Sequence, residues 1–117
     1  MSVRVLLLDD EPAIQAFVSR LLGEAGYVVD VLTDPLTALE AIRDGYYALV
    51  ITNSVMQGPA GSALVAQLRR RYPALPVLHL DDQSHPYGED FPADVPTLTK
   101  PFENDLLLDT VRALAGQ

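Results

Sequence analysis

Residues 3–8, Val-Arg-Val-Leu-Leu-Leu, form a short and nearly continuous apolar run with turn-type residues after it. A run of that length with little alternation predicts a strand covered on both faces, as in a parallel sheet. Pro12 follows, with Asp9, Asp10 and Glu11 just before it, a pattern that opens a helix. Ile14, Phe17, Val18, Leu21, Leu22 and Ala25 then recur at helical spacing and predict one amphipathic stripe, ended by Gly26.

The unit repeats. Tyr27 to Leu32 reads as a strand, and Asp34-Pro35 as an N-cap with proline in the first turn. Leu36, Leu39 and Ile42 mark the expected inner face of that helix, which Gly45 closes. Ala48 to Thr52 is a third strand, and Asn53 to Gly61 a loop. Ser62 to Arg71 is a third helix with Leu64, Val65 and Leu68 inward. Leu75 to Leu80 and Pro96 to Thr99 are the fourth and fifth strands. Glu103 to Ala115 is the last helix, with Leu107, Val111 and Leu114 inward. Strand–helix alternation with short connections predicts right-handed crossovers and a parallel sheet with helices on both faces. The rhythm breaks once. Residues 81–95 should carry a helix, but Pro86, Gly88 and Pro92 interrupt them and no stripe is visible. Proline inside a helix loses a hydrogen bond and clashes with the preceding turn, so a loop is expected.

Composition narrows the picture. A length of 117 residues suits a single domain, 1–117, able to bury a core without staples. No apolar run reaches the roughly 18 residues of a membrane span, and no signal-peptide pattern opens the chain. There is no cysteine, hence no disulfide, thiol catalysis or cysteine metal site. These features predict a cytoplasmic protein. Sixteen acidic residues against eight basic ones give a net charge of −8, which disfavours nucleic acid and anionic membranes as partners. Arg69, Arg70 and Arg71 form the one basic cluster and read as a helix C-terminus that complements the dipole. Lys100 is the only lysine.

In an open parallel α/β sheet, ligands bind outside the carboxyl ends of the strands. Polar groups gather there. Strand one ends in Asp9, Asp10 and Glu11, strand three in Asn53, strand four in Asp81 and Asp82, and strand five in Lys100-Pro101. Carboxylates converging on one crevice repel unless a cation or proton intervenes. Lys100 is one candidate for that cation, and a hard, oxygen-binding ion such as Mg²⁺ is the other. Taken alone, Asp9 and Asp10 read either as a loop start and helix cap or as an acidic metal pocket. Asp81 reads as a partner of Lys100, a solvated loop residue or a substitute metal ligand. His79 and His85 are expected to be structural or solvated, and Tyr46, Tyr47 and Phe102 to be packing residues.

LLLDDEP after strand one, ALVITNSVMQGPAG around strand three, LPVLHLDD at strand four and LTKPF at strand five resemble, in that order and spacing, the receiver domain of two-component response regulators. The resemblance covers the whole chain. It implies a flavodoxin-like (βα)5 three-layer sandwich with sheet order 2-1-3-4-5, here with the helix after strand four short or missing. In that family a carboxylate pair binds Mg²⁺, and Asp9 and Asp10 stand at those positions, with the carbonyl of Val55 as a further donor. An aspartate at the end of strand three accepts a phosphoryl group from a histidine kinase; here it is Asn53. A threonine or serine at the end of strand four contacts the phosphoryl group; here it is Asp81. A switching aromatic in strand five is replaced by Thr97. The lysine is kept as Lys100, the loop methionine as Met56 and the later glycine as Gly61, while Gln57 replaces a proline.

The departures concern chemistry and the retained features concern the scaffold. Attack on phosphorus needs a carboxylate oxygen, and the amide of Asn53 is far weaker. Asp81 sets negative charge where phosphoryl oxygens would lie. The resemblance therefore implies an atypical, non-enzymatic receiver that acts as a phosphorylation-independent interaction module, with Mg²⁺ binding weak or absent. Its partners would be a histidine kinase, another response regulator or an output domain, and it would be a monomer or weak homodimer. The alternative is a Mg²⁺-dependent phospho-acceptor in which Asn53 is an engineered change or another residue, such as Ser54, is used. A flavin or nucleotide site on this fold would need a Gly, Ser or Thr phosphate cradle, and Asp9-Asp10-Glu11 presents carboxylates there instead.

Overall fold

A computed structural model of the chain describes residues 3–53, 60–81, 95–99 and 102–116, with positions 35, 60–64 and 81 described by their backbone alone. The elements run β1 (Val3–Leu8), α1 (Pro12–Glu24), β2 (Tyr27–Leu32), α2 (Pro35–Asp44), β3 (Leu49–Asn53), α3 (Ala60–Arg71), β4 (Val77–Asp81), β5 (Thr97–Thr99) and α4 (Asn104–Ala115). The sheet is five-stranded and all parallel, in the order β2-β1-β3-β4-β5. This is the expected flavodoxin-like topology. The expected loop within 81–95 falls almost wholly outside the described residues.

The continuous apolar run of β1 is explained by its central place. Val5 and Leu7 face a core shared with Val18 and Leu22 of α1 and Leu107 and Val111 of α4. Leu6 and Leu8 face a second core with Ala38 and Ile42 of α2 and Val65 and Leu68 of α3. All four β1 residues are fully buried, because successive side chains of a strand point to opposite faces and both faces are covered. Gly26, at φ +101°, supplies the left-handed step that turns the chain from α1 into β2. Asp34 caps α2 by accepting the Thr37 amide at 3.2 Å and the Thr37 hydroxyl at 2.8 Å.

Three local expectations are corrected. Leu36 is 70% exposed, and the buried stripe of α2 runs instead through Ala38 and Ile42. These two lie one turn apart, and Leu36 falls two residues before the first, on the opposite side of the helix. Tyr46 is 91% exposed; of the Tyr46-Tyr47 pair only Tyr47 packs. β4 begins at Val77, not Leu75. The Leu75 amide still bonds the Tyr72 carbonyl in the turn after α3, and Pro76 has no amide to give to a ladder.

Arg4, Asp30 and Tyr47 tie three segments together at the edge of the α2–α3 side. Asp30 Oδ2 accepts from Arg4 at 2.6 Å and from the Tyr47 hydroxyl at 2.7 Å, and the Arg4 guanidinium lies 4.9 Å over the Tyr47 ring. The Tyr47 hydrogen bond, then the Arg4 hydrogen bond, hold the Asp30 carboxyl below its ordinary pKa. A lowered folded pKa stabilises above the unfolded value of about 3.9, and that contribution disappears as pH falls through the folded value. Because the pair is more than a third exposed, the effect is modest. We expect Asp30→Asn to lower Tm by about 4 °C at pH 7 and by the same amount down to about pH 4, with the gap closing below that. Thermal melts that show an equal deficit at pH 2 and pH 7 would remove the charge from this account.

Candidate functional site

Asp9 and Asn53 are built into neighbouring strand ends by the sheet register. Leu8 pairs with Thr52 across β1 and β3, so the next residues, Asp9 and Asn53, sit side by side about 4.8 Å apart along the ladder direction. Both are fully buried. Alternation from Leu7 and Ile51 puts both on the α1–α4 face of the sheet. The Asp9 amide donates to the Leu32 carbonyl at 3.2 Å, which extends the β1–β2 pairing by one step. Its carboxylate Oδ1 accepts the Glu11 amide at 2.8 Å, and its carbonyl accepts the Gln15 side-chain amide at 2.5 Å. The turn into α1 is thereby folded around Asp9, while Asp10 is exposed beside it. Pro12 then starts α1 without a side-chain cap from Glu11.

Asp81 ends β4, level with Thr99 of β5. Thr97 pairs with His79 in the same ladder, and His79 pairs with Thr52. These three form a polar row on the α2–α3 face of the sheet, one residue before the end of β3 and two before the ends of β4 and β5. The Thr97 hydroxyl donates to the Val95 carbonyl at 3.2 Å and lies 3.3 Å from His79 Nδ1, where the imidazole N–H can donate to it. The His79–Thr97 contact has no signal along the chain, since it exists only through the β4–β5 register. His79 is buried, as the structural reading expected. Phe102 packs against Phe17 of α1 with ring centroids 6.1 Å apart, which anchors the segment after β5 onto the first helix. Ser54, Val55, Met56, Gln57, Asp82, His85 and Lys100 lie outside the described residues.

The site therefore brings together a buried carboxylate, an exposed carboxylate and a buried neutral amide. These are hard oxygen donors of the kind a divalent cation takes, so the residues fit Mg²⁺ in type. They carry one charge fewer than three carboxylates would. Among the described residues no group of three or more His, Cys, Asp or Glu side chains is placed to hold a metal ion.

Residues 5–112 match the family model of the response regulator receiver domain. The chain belongs to that family. The receiver domain is 37% identical over 117 residues to the transcriptional regulatory protein TcrA of Mycobacterium tuberculosis, a match that covers 97% of this chain and 46% of TcrA. It spans about half the length of the curated relatives it matches. A putative response regulator from Chloroflexus aurantiacus superposes over the full length of both chains with a TM-score of 0.87 at 24% identity, which shows the shared fold. A chain of the complex between histidine kinase ThkA and response regulator TrrA superposes with a TM-score of 0.79 at 28% identity over 96% of this receiver domain and 97% of that chain. Response regulator receivers are signalling modules of two-component systems, and this chain shares their architecture throughout the sheet. No helix among the described residues is long and apolar enough to cross a membrane.

Proposed function

We propose that this is an atypical receiver domain, one unit over residues 1–117, that works as a phosphorylation-independent interaction module in a two-component system. The observation that carries the reading is the fully buried Asn53 at the end of β3, beside the buried Asp9. A receiver accepts its phosphoryl group on a carboxylate at that strand end, and a neutral amide there neither attacks phosphorus nor supplies charge. Asp81, at the end of the next strand, adds a negative group where phosphoryl oxygens would need a hydroxyl. Thr97 supports the same reading. Its hydroxyl is engaged with Val95 and His79, and it offers no ring to swing between two positions.

Mg²⁺, when bound, would neutralise charge in the crevice. Asp9, Asp10, the side-chain oxygen of Asn53 and the carbonyl of Val55 would hold it, weakly for want of a third carboxylate. Lys100 would supply the standing positive charge, paired with Asp10 or Asp81. The partners that suit such a module are a histidine kinase, another response regulator or an output domain in the cytoplasm, met as a monomer or weak homodimer. Direct contact with nucleic acid or membrane does not suit a net charge of −8.

Incubation with acetyl phosphate and Mg²⁺, followed by intact-mass measurement, tests the reading. The expected spectrum shows no phosphoryl adduct. A stoichiometric adduct mapped to the segment after β3 would establish the competing phospho-acceptor reading.

A further inference from the structure

The two edges of the sheet differ. β5 runs for three residues, Thr97–Thr99, directly behind Pro96, which has no amide to give a ladder. β2 runs for six, Tyr27–Leu32, and among the described residues it pairs with β1 alone. The Leu32 carbonyl accepts the Asp9 amide across that pair. The amide and carbonyl of one strand residue point to the same side, and the side alternates along the chain. Val28, Asp30 and Leu32 therefore face β1, while Tyr27, Val29 and Val31 face outward. The outer side is open to solvent. Val28 is 40% exposed on the α2–α3 face and Val31 is 37% exposed on the α1–α4 face. The strand also carries nothing that blunts an edge. It holds no proline, lysine or glycine, and its residues Tyr-Val-Val-Asp-Val-Leu favour pairing. Its single charge, Asp30, is drawn toward β1 by Arg4 at 2.6 Å.

We propose that β2 pairs with β2 of a second copy, antiparallel about a twofold axis through Val29, so that the two sheets run on as one. The symmetric register sets Val29 against Val29, Tyr27 against Val31 and Val28 against Asp30. The outward amides and carbonyls then meet their counterparts in about six hydrogen bonds. Opposed side chains must share a face, so this register can slip only by two residues. One such slip sets Asp30 against Asp30, a like-charge pair. The other sets Val31 against Ala25, which lies outside the strand at the end of α1. Charge also favours the symmetric register. Arg4 lies beside Val28 in the β1–β2 pairing. Asp30 of one copy thus falls in the same cross-strand row as Arg4 of the other, about 9.6 Å or two strand spacings away, which an extended arginine spans. Both side chains are more than a third exposed and free to share. A strip about 20 Å long covers less than the roughly 800 Å² per partner of a standard interface, so the assembly is weak. It does not involve Asn53 and holds whether or not that position takes a phosphoryl group.

The test is amide hydrogen exchange of the ¹⁵N-labelled chain at about 50 μM and about 2 mM, which brackets an expected dissociation constant of about 0.1–1 mM. Raising the concentration should slow exchange severalfold at Val29 and Val31, whose amides face outward. Val28 and Asp30, already bonded to β1, should not change. In a mixture of labelled and unlabelled chains, a contact between the α-protons of Val28 and Asp30 of different copies should fix the register. Val31→Pro removes an outward donor and no bond to β1, so the far-ultraviolet spectrum should be kept while sedimentation shows at least about a tenfold loss of affinity. Val28→Glu sets a carboxylate against Asp30 of the other copy and should weaken pairing severalfold. Should Val31→Pro fold poorly, the alternating exchange pattern of the unsubstituted chain decides. A monomer at about 2 mM, an unweakened dimer in both variants, or protection confined to β5 or α4 would each overturn the proposal. So would protection of Val29 and Val31 only on adding an unrelated strand peptide, Thr-Val-Thr-Val-Thr-Val, which would make the occupant a partner segment.

Discussion

Asn53→Asp is expected to lower stability at pH 7 by about 3 kcal/mol in the absence of divalent cations. The substitution places a carboxylate at a fully buried position beside the fully buried Asp9, with Asp10 close by. Burial and like charge both raise the pKa of the new group. A raised carboxylate pKa destabilises above the unfolded value and more strongly as pH rises toward the folded one. The variant's deficit should therefore be smaller at pH 5 than at pH 7. Mg²⁺ should reverse it, since a ligand at about 100 times its dissociation constant adds about 2.7 kcal/mol, while the parent protein responds little. Melts in EDTA and across a Mg²⁺ series read both effects. A variant as stable as the parent and indifferent to Mg²⁺ would show that position 53 does not share a pocket with Asp9 and Asp10. Rapid labelling of the variant by acetyl phosphate would show in addition that Asp81 does no harm.

The second large effect is expected in the sheet itself. Leu7→Ala removes a fully buried side chain from a central strand. It should cost about 2–5 kcal/mol, a large share of the roughly 5–15 kcal/mol that holds a domain together. Val28→Ala, on the edge strand β2 and 40% exposed, should stay within about 0.5 kcal/mol. Urea midpoints at constant slope measure both. Comparable losses would contradict the placement of β1 at the centre and β2 at the edge.

What the sequence revealed was whatever depends on spacing along the chain. The unbroken apolar run of β1 announced a strand covered on both sides, and the stripes of α1 and α4 announced their inner faces. Asp34-Pro35 marked a helix start that the Thr37 hydrogen bonds bear out. Leu36 misled because a short helix with few apolar residues admits two stripes, and the small Ala38 gave no weight to the correct one. Contacts set by register were invisible. Arg4 and Asp30 are 26 residues apart, and His79 and Thr97 are 18 apart. Of the site, Asp9, Asn53 and Asp81 were found at strand ends by topology alone. The burial of Asn53 against Asp9 needed the β1–β3 pairing, and the open edge at β2 needed the strand order.

One core is closed by helices that lie far apart in the sequence. α1 and α4 share a face of the sheet, and Val18 and Leu22 lie in the same cluster as Leu107 and Val111. During synthesis at about 5–20 residues per second, the first helix waits roughly 4–17 s for the last one. Through that interval the α1 side of the sheet has no lid, and the nascent chain presents Val5, Leu7, Val18 and Leu22 to whatever is nearby. The α2–α3 side is supplied with its own helices earlier. Biogenesis is thus asymmetric: one half-core can set before α4 is made, and the other depends on residues 104–115.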